Sequence, residues 1–190
     1  GTSRESGPGL PADYFGDDPE GRDMAGRAEA GAMIAAVAAR RSVTVEFGRF
    51  LASPCGTYLT AAADIKNNNG ENFVICDGGI NHLKYYGQTM AMQTPPITQL
   101  GDHGEKTEDY TLCGSLCTTA DILVRKVTLP ALSVGDVLAF GRCGAYSVTE
   151  GIGLFLSRQL PRIVLHSERG GNRLLRDFYG TDILNSPAEV

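Results

Sequence analysis

Glu46-Phe47-Gly48-Arg49 brings a carboxylate, a glycine and a guanidinium together between two apolar runs, Val43-Thr44-Val45 and Phe50-Leu51-Ala52, both of which read as strand-like. An arginine presents a planar, permanently charged fork to phosphate oxygens, a glycine lets backbone approach a ligand, and a carboxylate three residues away can hold a protonated ring nitrogen. The chemistry this allows is the binding of a phosphate-bearing cofactor with a basic ring. The same two charges at i and i+3 also describe a solvated surface ion pair, so the tetrapeptide takes its meaning from the rest of the chain. Downstream lie Cys76-Asp77-Gly78-Gly79, then Cys113-Gly114-Ser115-Leu116-Cys117-Thr118-Thr119-Ala120-Asp121, then Gly135-Asp136-Val137-Leu138 and Gly144-Ala145-Tyr146.

In their order and spacing these motifs resemble the fold-type III, pyridoxal-phosphate-dependent amino-acid decarboxylases, the diaminopimelate and ornithine decarboxylase family. The likeness runs from about Gly7 to Ile183. It implies pyridoxal 5'-phosphate as cofactor and an amino acid as substrate. Loss of carbon dioxide from an α-amino acid leaves a carbanion, whose charge the cofactor ring spreads best when its nitrogen is protonated; an adjacent carboxylate keeps that proton in place. The resemblance gives this role to Glu46 and phosphate binding to Arg49, with Gly48 in the same cofactor motif. Gly7 and Gly9, in Gly7-Pro8-Gly9-Leu10, match the family's glycine-rich phosphate loop, although Pro8 removes one amide donor. Tyr146 matches a tyrosine lying against the cofactor near its phosphate. Cys117 matches the cysteine presented from a neighbouring subunit, a proton donor or a shaper of the reacting face. That match implies a homodimer. Tyr86 and Thr118 fall on the substrate side, while Asp121 is expected to hold its loop by hydrogen bonds.

Two departures bear on the substrate. Diaminopimelate decarboxylases carry an acid directly after the motif cysteine and an arginine shortly before the substrate-side tyrosine; this chain has Thr118, and His82-Leu83-Lys84-Tyr85 ahead of Tyr86. A neutral threonine cannot pair with a buried ammonium, which costs several kcal/mol when left alone. A less cationic amino acid, or one tethered to a carrier, is therefore expected.

These residues need elements to position them. Asp17-Asp18-Pro19-Glu20 is a helix start, and Met24 to Arg41 reads as the helix, with Met33, Ile34 and Val37 near its end. Val43–Val45 reads as a short strand. After Arg49, β-branched and aromatic residues alternate between Gly- and Asn-rich punctuation, which is sheet grammar. Strands are predicted at Cys55–Lys66 and Asn72–Cys76, joined by the hairpin signal Asn67-Asn68-Asn69-Gly70. Others fall at Tyr110–Cys113, Val124–Leu129, Val137–Gly141, Arg162–His166 and Arg173–Phe178, with Pro95-Pro96 and Gly101–Asp109 as exposed loops. The fold class is thus mainly β with an α/β N-terminal part. Residues 1–50 are expected to be the end of a (β/α)8 barrel, and 51–190 a C-terminal β-barrel or sandwich domain.

Composition narrows the classes. The chain has 190 residues, 42% hydrophobic, with 17 Lys and Arg against 22 Asp and Glu and a net charge of −5. The cations are scattered, which excludes a nucleic-acid footprint and a polybasic membrane patch. No apolar run approaches the roughly 20 residues of a membrane span, and no signal-peptide layout opens the chain, so a cytoplasmic protein is expected. Five cysteines without an export signal point to reduced thiols; the dispersed His82, His103 and His166 offer no metal-ligand spacing. In the family the Schiff-base lysine sits on an early barrel strand, and none of Lys66, Lys84, Lys106 or Lys126 has that context. The expectation is a C-terminal part that needs an N-terminal barrel half as partner and is inactive alone. The rival expectation is a non-catalytic dimerisation or regulatory module.

Overall fold

The computed structural model describes residues 21–40, 42–44, 48–85 and 94–187. Helix α1 covers Gly21–Ala38; of its apolar cluster Met33 and Val37 remain 67% and 53% exposed, while Ile34 is half-buried. Two expectations fail between α1 and the sheet. Val43 and Thr44 are in no strand, because no described strand lies beside them to pair their backbone. Gly48–Ala52, expected to run on into a strand, forms helix α2 instead, continued by a 3-10 turn over Ser53–Cys55. Arg49, Leu51 and Ala52 are good helix formers, and with no ladder available the local i→i−4 bonds prevail.

The sheet begins with a long hairpin. β1 (Tyr58–Asn68) and β2 (Glu71–Cys76) pair antiparallel from Asn68↔Glu71, and the connecting Asn69 and Gly70 have φ of 53° and 85°. Positive φ at both positions is what a type I′ two-residue hairpin loop requires, and Asn-Gly supplies it at least strain. The remaining strands are β3 (Ile97–Gln99), β4 (Thr107–Cys113), β5 (Ile122–Pro130) and β6 (Val137–Phe140), in the six-stranded order β3-β6-β1-β2-β4-β5. β2 and β4 are parallel, while the other neighbours run antiparallel. The outer strands β3 and β5 approach each other, so the sheet is nearly closed. Its interior holds Val74, Leu112, Val124, Leu138, Phe140, Leu83 and Tyr85, all buried.

Thr107–Asp109, expected in a loop, belongs to β4. Charge does not prevent pairing when it points outward: Asp109 accepts from the Thr128 hydroxyl at 2.6 Å and pairs with Lys126 at 3.1 Å, both across the ladder on β5. β7 (Ile163–Ser167) and β8 (Gly171–Arg176) form a separate two-stranded sheet, with Val164, Leu165, Leu174 and Leu175 each about half exposed. A short helix, α3, follows at Asp182–Asn185. No helix among the described residues is long and apolar enough to cross a membrane.

Candidate functional site

Arg49 and Tyr146, remote in sequence, are brought together by a close approach of backbone. Gly144 donates its N–H to the Ser53 carbonyl at 3.0 Å, and Cys143 donates to the Gly56 carbonyl at 3.1 Å. A Cβ on Gly56 or Gly144 would overlap the backbone opposite, so these glycines set how near the segment after β6 comes to α2. Tyr146 then adopts φ 62°, the left-handed region, which aims its carbonyl at the N–H groups of Thr149 and Glu150, each at 2.8 Å. The turn so formed places Glu150 beside α2. Arg49 Nη2 donates to Glu150 Oε1 at 2.9 Å, and the guanidinium carbon lies 4.8 Å from the Tyr146 ring centroid. A Cβ on Gly48 would sit 3.2 Å from the Tyr146 hydroxyl, so the absent side chain is room for that hydroxyl.

Gly48, Arg49 and Tyr146 are thus adjacent. A guanidinium, a phenol hydroxyl and a bare glycine form a donor set that fits a phosphate group, and the Glu150 carboxylate already holds the guanidinium there. Glu46, Gly7, Gly9 and Tyr86 lie outside the described residues.

Cys117 and Thr118 sit on a second feature, the loop between β4 and β5. Asp121, 2% exposed, accepts the Leu116 N–H at Oδ2 (2.7 Å) and the Ile80 N–H at Oδ1 (2.8 Å), while its own carbonyl takes the Gly114 N–H at 2.9 Å. Gly79 and Gly114 wrap this carboxylate so closely that a Cβ on either would strike it. The loop is therefore bound to the turn after β2, as expected of Asp121, and it presents Cys117 exposed with Thr118 half-buried beside it. All five cysteines are free thiols. Burial pushes the Cys76 thiol up to about 12 and the Cys143 thiol up to about 11, so neither is a nucleophile near neutral pH.

A cleft of about 950 Å³ opens between the start of β1, the end of β2 and the β7–β8 hairpin. On its wall the Tyr58 hydroxyl donates to His82 Nδ1 at 3.0 Å, and His82 Nε2–H donates to the Gln159 carbonyl at 2.8 Å. Burial lowers the His82 pKa below its ordinary value, which favours the neutral ring, and in the neutral ring the donation from Nε2 leaves Nδ1 as the acceptor. Gly78 makes room for the pair, since a Cβ there would overlap the Tyr58 hydroxyl. Asp77 Oδ1 accepts from the Thr60 hydroxyl at 2.5 Å and from the Ala61 N–H at 2.9 Å. Arg158 Nη2 donates to Ser115 Oγ at 2.7 Å, and that hydroxyl donates onward to the Asp77 carbonyl at 3.1 Å.

Sequence reasoning missed Glu150 and Arg158. Glu150 stands four residues after Tyr146, a spacing that brings the two together once the chain turns at the tyrosine. Nothing in the sequence near Arg158 signals its contact with Ser115, which lies 43 residues away.

The nearly closed sheet, with these loops at its margins, defines a class. The chain belongs to the pyridoxal-dependent decarboxylase family, whose C-terminal sheet domain matches residues 29–144. It is 33% identical over 140 residues, 70% of its length and 32% of the relative's, to the L-glutamyl-[BtrI acyl-carrier protein] decarboxylase of Niallia circulans. It is 31% identical over 130 residues to the 2-[(L-alanin-3-ylcarbamoyl)methyl]-2-hydroxybutanedioate decarboxylase of Staphylococcus aureus, covering 65% of this chain and 32% of that protein. The fold is that of diaminopimelate decarboxylase from M. jannaschii solved with L-lysine, with TM-score 0.73, 23% identity, and coverage of 94% of this chain and 41% of that one. The chain spans about a third of the length of the curated relatives it matches, 32% for those two.

Proposed function

We propose that this chain is the C-terminal part of a pyridoxal-phosphate-dependent decarboxylase that removes the α-carboxylate of a less cationic or carrier-tethered amino acid. In this reading it acts as a homodimer, with a barrel half supplying the cofactor lysine. The observation that carries the reading is the meeting of Gly48, Arg49 and Tyr146, three residues chosen by resemblance from distant parts of the chain, around one guanidinium. Pyridoxal phosphate, when bound, supplies the sink for the electrons left by departing carbon dioxide. Arg49 and the Tyr146 hydroxyl hold its phosphate, together with the Gly7–Gly9 loop. Glu46 keeps a proton on its ring nitrogen. Cys117, exposed on a loop fixed by Asp121, delivers a proton to the carbon that has lost its carboxylate. Thr118 leaves the neighbouring subsite uncharged, which disfavours a substrate ending in an ammonium. The two curated relatives, named for a glutamyl carrier-protein substrate and for a hydroxybutanedioate, support that preference.

A non-catalytic dimerisation or regulatory module is the second reading. One observation favours it: Arg49 is already neutralised by Glu150. Adding pyridoxal 5'-phosphate to the chain, alone and with an N-terminal barrel half, separates the two. The decarboxylase reading expects a cofactor absorbance band in the combined sample, weakened by Arg49→Ala, and carbon dioxide release that Cys117→Ala depresses by about 100-fold. A sample with no band in either case supports the scaffold.

A further inference from the structure

Arg158 is a charged group that the proposed decarboxylase chemistry does not use. It follows a 3-10 turn in which Leu156 and Ser157 both hold positive φ, 56° and 53°, and the buried Thr181 donates its hydroxyl to the Arg158 carbonyl at 2.8 Å. The backbone is therefore fixed, and the half-buried side chain reaches the wall of the 950 Å³ cleft. Its Nη2 donates to the neutral hydroxyl of Ser115, which is not itself a wall residue, at 2.7 Å, with no carboxylate in ion-pair range among the described residues. The other arginine of the cleft differs. Arg162 is paired with Asp177 at 2.6 Å and stacked 4.4 Å from the Phe178 ring centroid.

A partly buried cation matched only by a neutral hydroxyl has given up hydration without gaining an opposite charge. Its remaining N–H fork has the geometry of a carboxylate. The other titratable groups on the walls sharpen the choice of ligand. His82 is neutral, and His166 Nδ1 is engaged with Asn172 Oδ1 at 2.8 Å. Asp77 adds a negative charge, which sets the cleft against a bare polyanion and towards a molecule carrying both signs. The volume suits a small ligand, for which pockets of about 300–1,000 Å³ are usual.

The geometry points to this cleft as a binding site for an acidic amino acid, with Arg158 receiving its side-chain carboxylate. The inference rests on the decarboxylase reading for its biological meaning: Ser115 ties Arg158 to the loop of Cys117 and Thr118, so the substrate class becomes amino acids whose far end carries a carboxylate and lacks the ammonium that diaminopimelate and ornithine carry there.

Titration of this chain without cofactor, using L-glutamate and L-lysine at matched ionic strength and reading 1H–15N shifts, tests the site directly. L-Glutamate should give saturable shifts at Arg158, Ser115 and His82, and L-lysine should bind about tenfold more weakly or worse. Arg158→Gln should weaken glutamate by a similar factor. If Arg158→Gln loses its dispersed spectrum, Arg158→Lys replaces it, and the loss of the fork should still weaken glutamate severalfold. Equal binding of the two amino acids, binding indifferent to the Arg158 variants, or no saturable shift overturns the inference. A missing cofactor band alongside intact glutamate binding would instead overturn the decarboxylase reading and leave the site standing.

Discussion

Asp121→Ala should unfold the margin of the sheet out of proportion to its size. The carboxylate is 2% exposed and is the acceptor for two backbone donors, the N–H groups of Ile80 and Leu116, at 2.8 Å and 2.7 Å. Truncation leaves both donors buried without a partner, at about 1–3 kcal/mol each. The expected loss is therefore about 2–6 kcal/mol, a large share of the stability of an ordinary domain. Asp121→Asn keeps the shape and one acceptor but turns an NH2 group towards the second donor, so about half the loss is expected. Because the chain has no tryptophan, the measurement is urea unfolding followed by far-UV circular dichroism, with ΔG taken at unchanged slope. A second readout follows the loop itself. In a Cys55→Ser background, which removes the other exposed thiol, a disulfide reagent should modify a different fraction of Cys117 per minute once Asp121 no longer holds the loop. A loss below about 1 kcal/mol for Asp121→Ala would refute the claim that these two hydrogen bonds fix the loop.

Gly78→Ala drives a methyl group into the Tyr58 hydroxyl, and about 1–3 kcal/mol of destabilisation is expected; Tyr58→Phe in the same chain removes the struck oxygen, so the double variant should recover part of that loss in urea unfolding. His82 is held neutral by burial, which outweighs the opposing pull of the Gln159 carbonyl on its ring N–H, so its folded pKa lies below the unfolded one. The unfolded state then binds the extra proton, and stability is fully present above the ordinary histidine range and falls as pH drops through it towards the folded pKa. Wild-type unfolding free energies between pH 5 and pH 8 should therefore decline at the acid end by more than those of His82→Gln. Parallel pH curves for the two proteins would show that His82 does not carry the effect.

Much of the sheet could be read from short-range chemistry. The β1–β2 hairpin was legible because Asn69-Gly70 is a local signal for positive φ, and β5 and β6 because β-branched and aromatic residues mark them between turns. β3 was not, since three residues after a pair of prolines carry too little pattern to register as a strand. Gly48–Ala52 misled because a short apolar run suits either a strand or a helix, and only the presence of a partner strand decides. The role of Asp121 was legible as a loop aspartate, but the reason for the flanking Gly79 and Gly114 was not: they are needed for space around its carboxylate. Glu150 and Arg158 stayed hidden because each finds its partner 101 and 43 residues away, a pairing that side-chain type alone does not encode.

β1 has two neighbours of very different origin. Its far end turns straight into β2 through a two-residue loop, whereas its near end waits for β6, with Tyr58 opposite Phe140. The hairpin needs only its own few residues and can assemble in about 1–10 μs. Joining β6 requires nearly everything in between to be gathered first, and such distant pairings are slow because chain entropy is lost before contacts compensate it. Refolding should accordingly be limited by the arrival of β6. Until then the inner edge of β1, from Tyr58 to Ala61, stays open to any other extended segment it meets, so the yield of refolded protein should fall as the concentration during refolding rises.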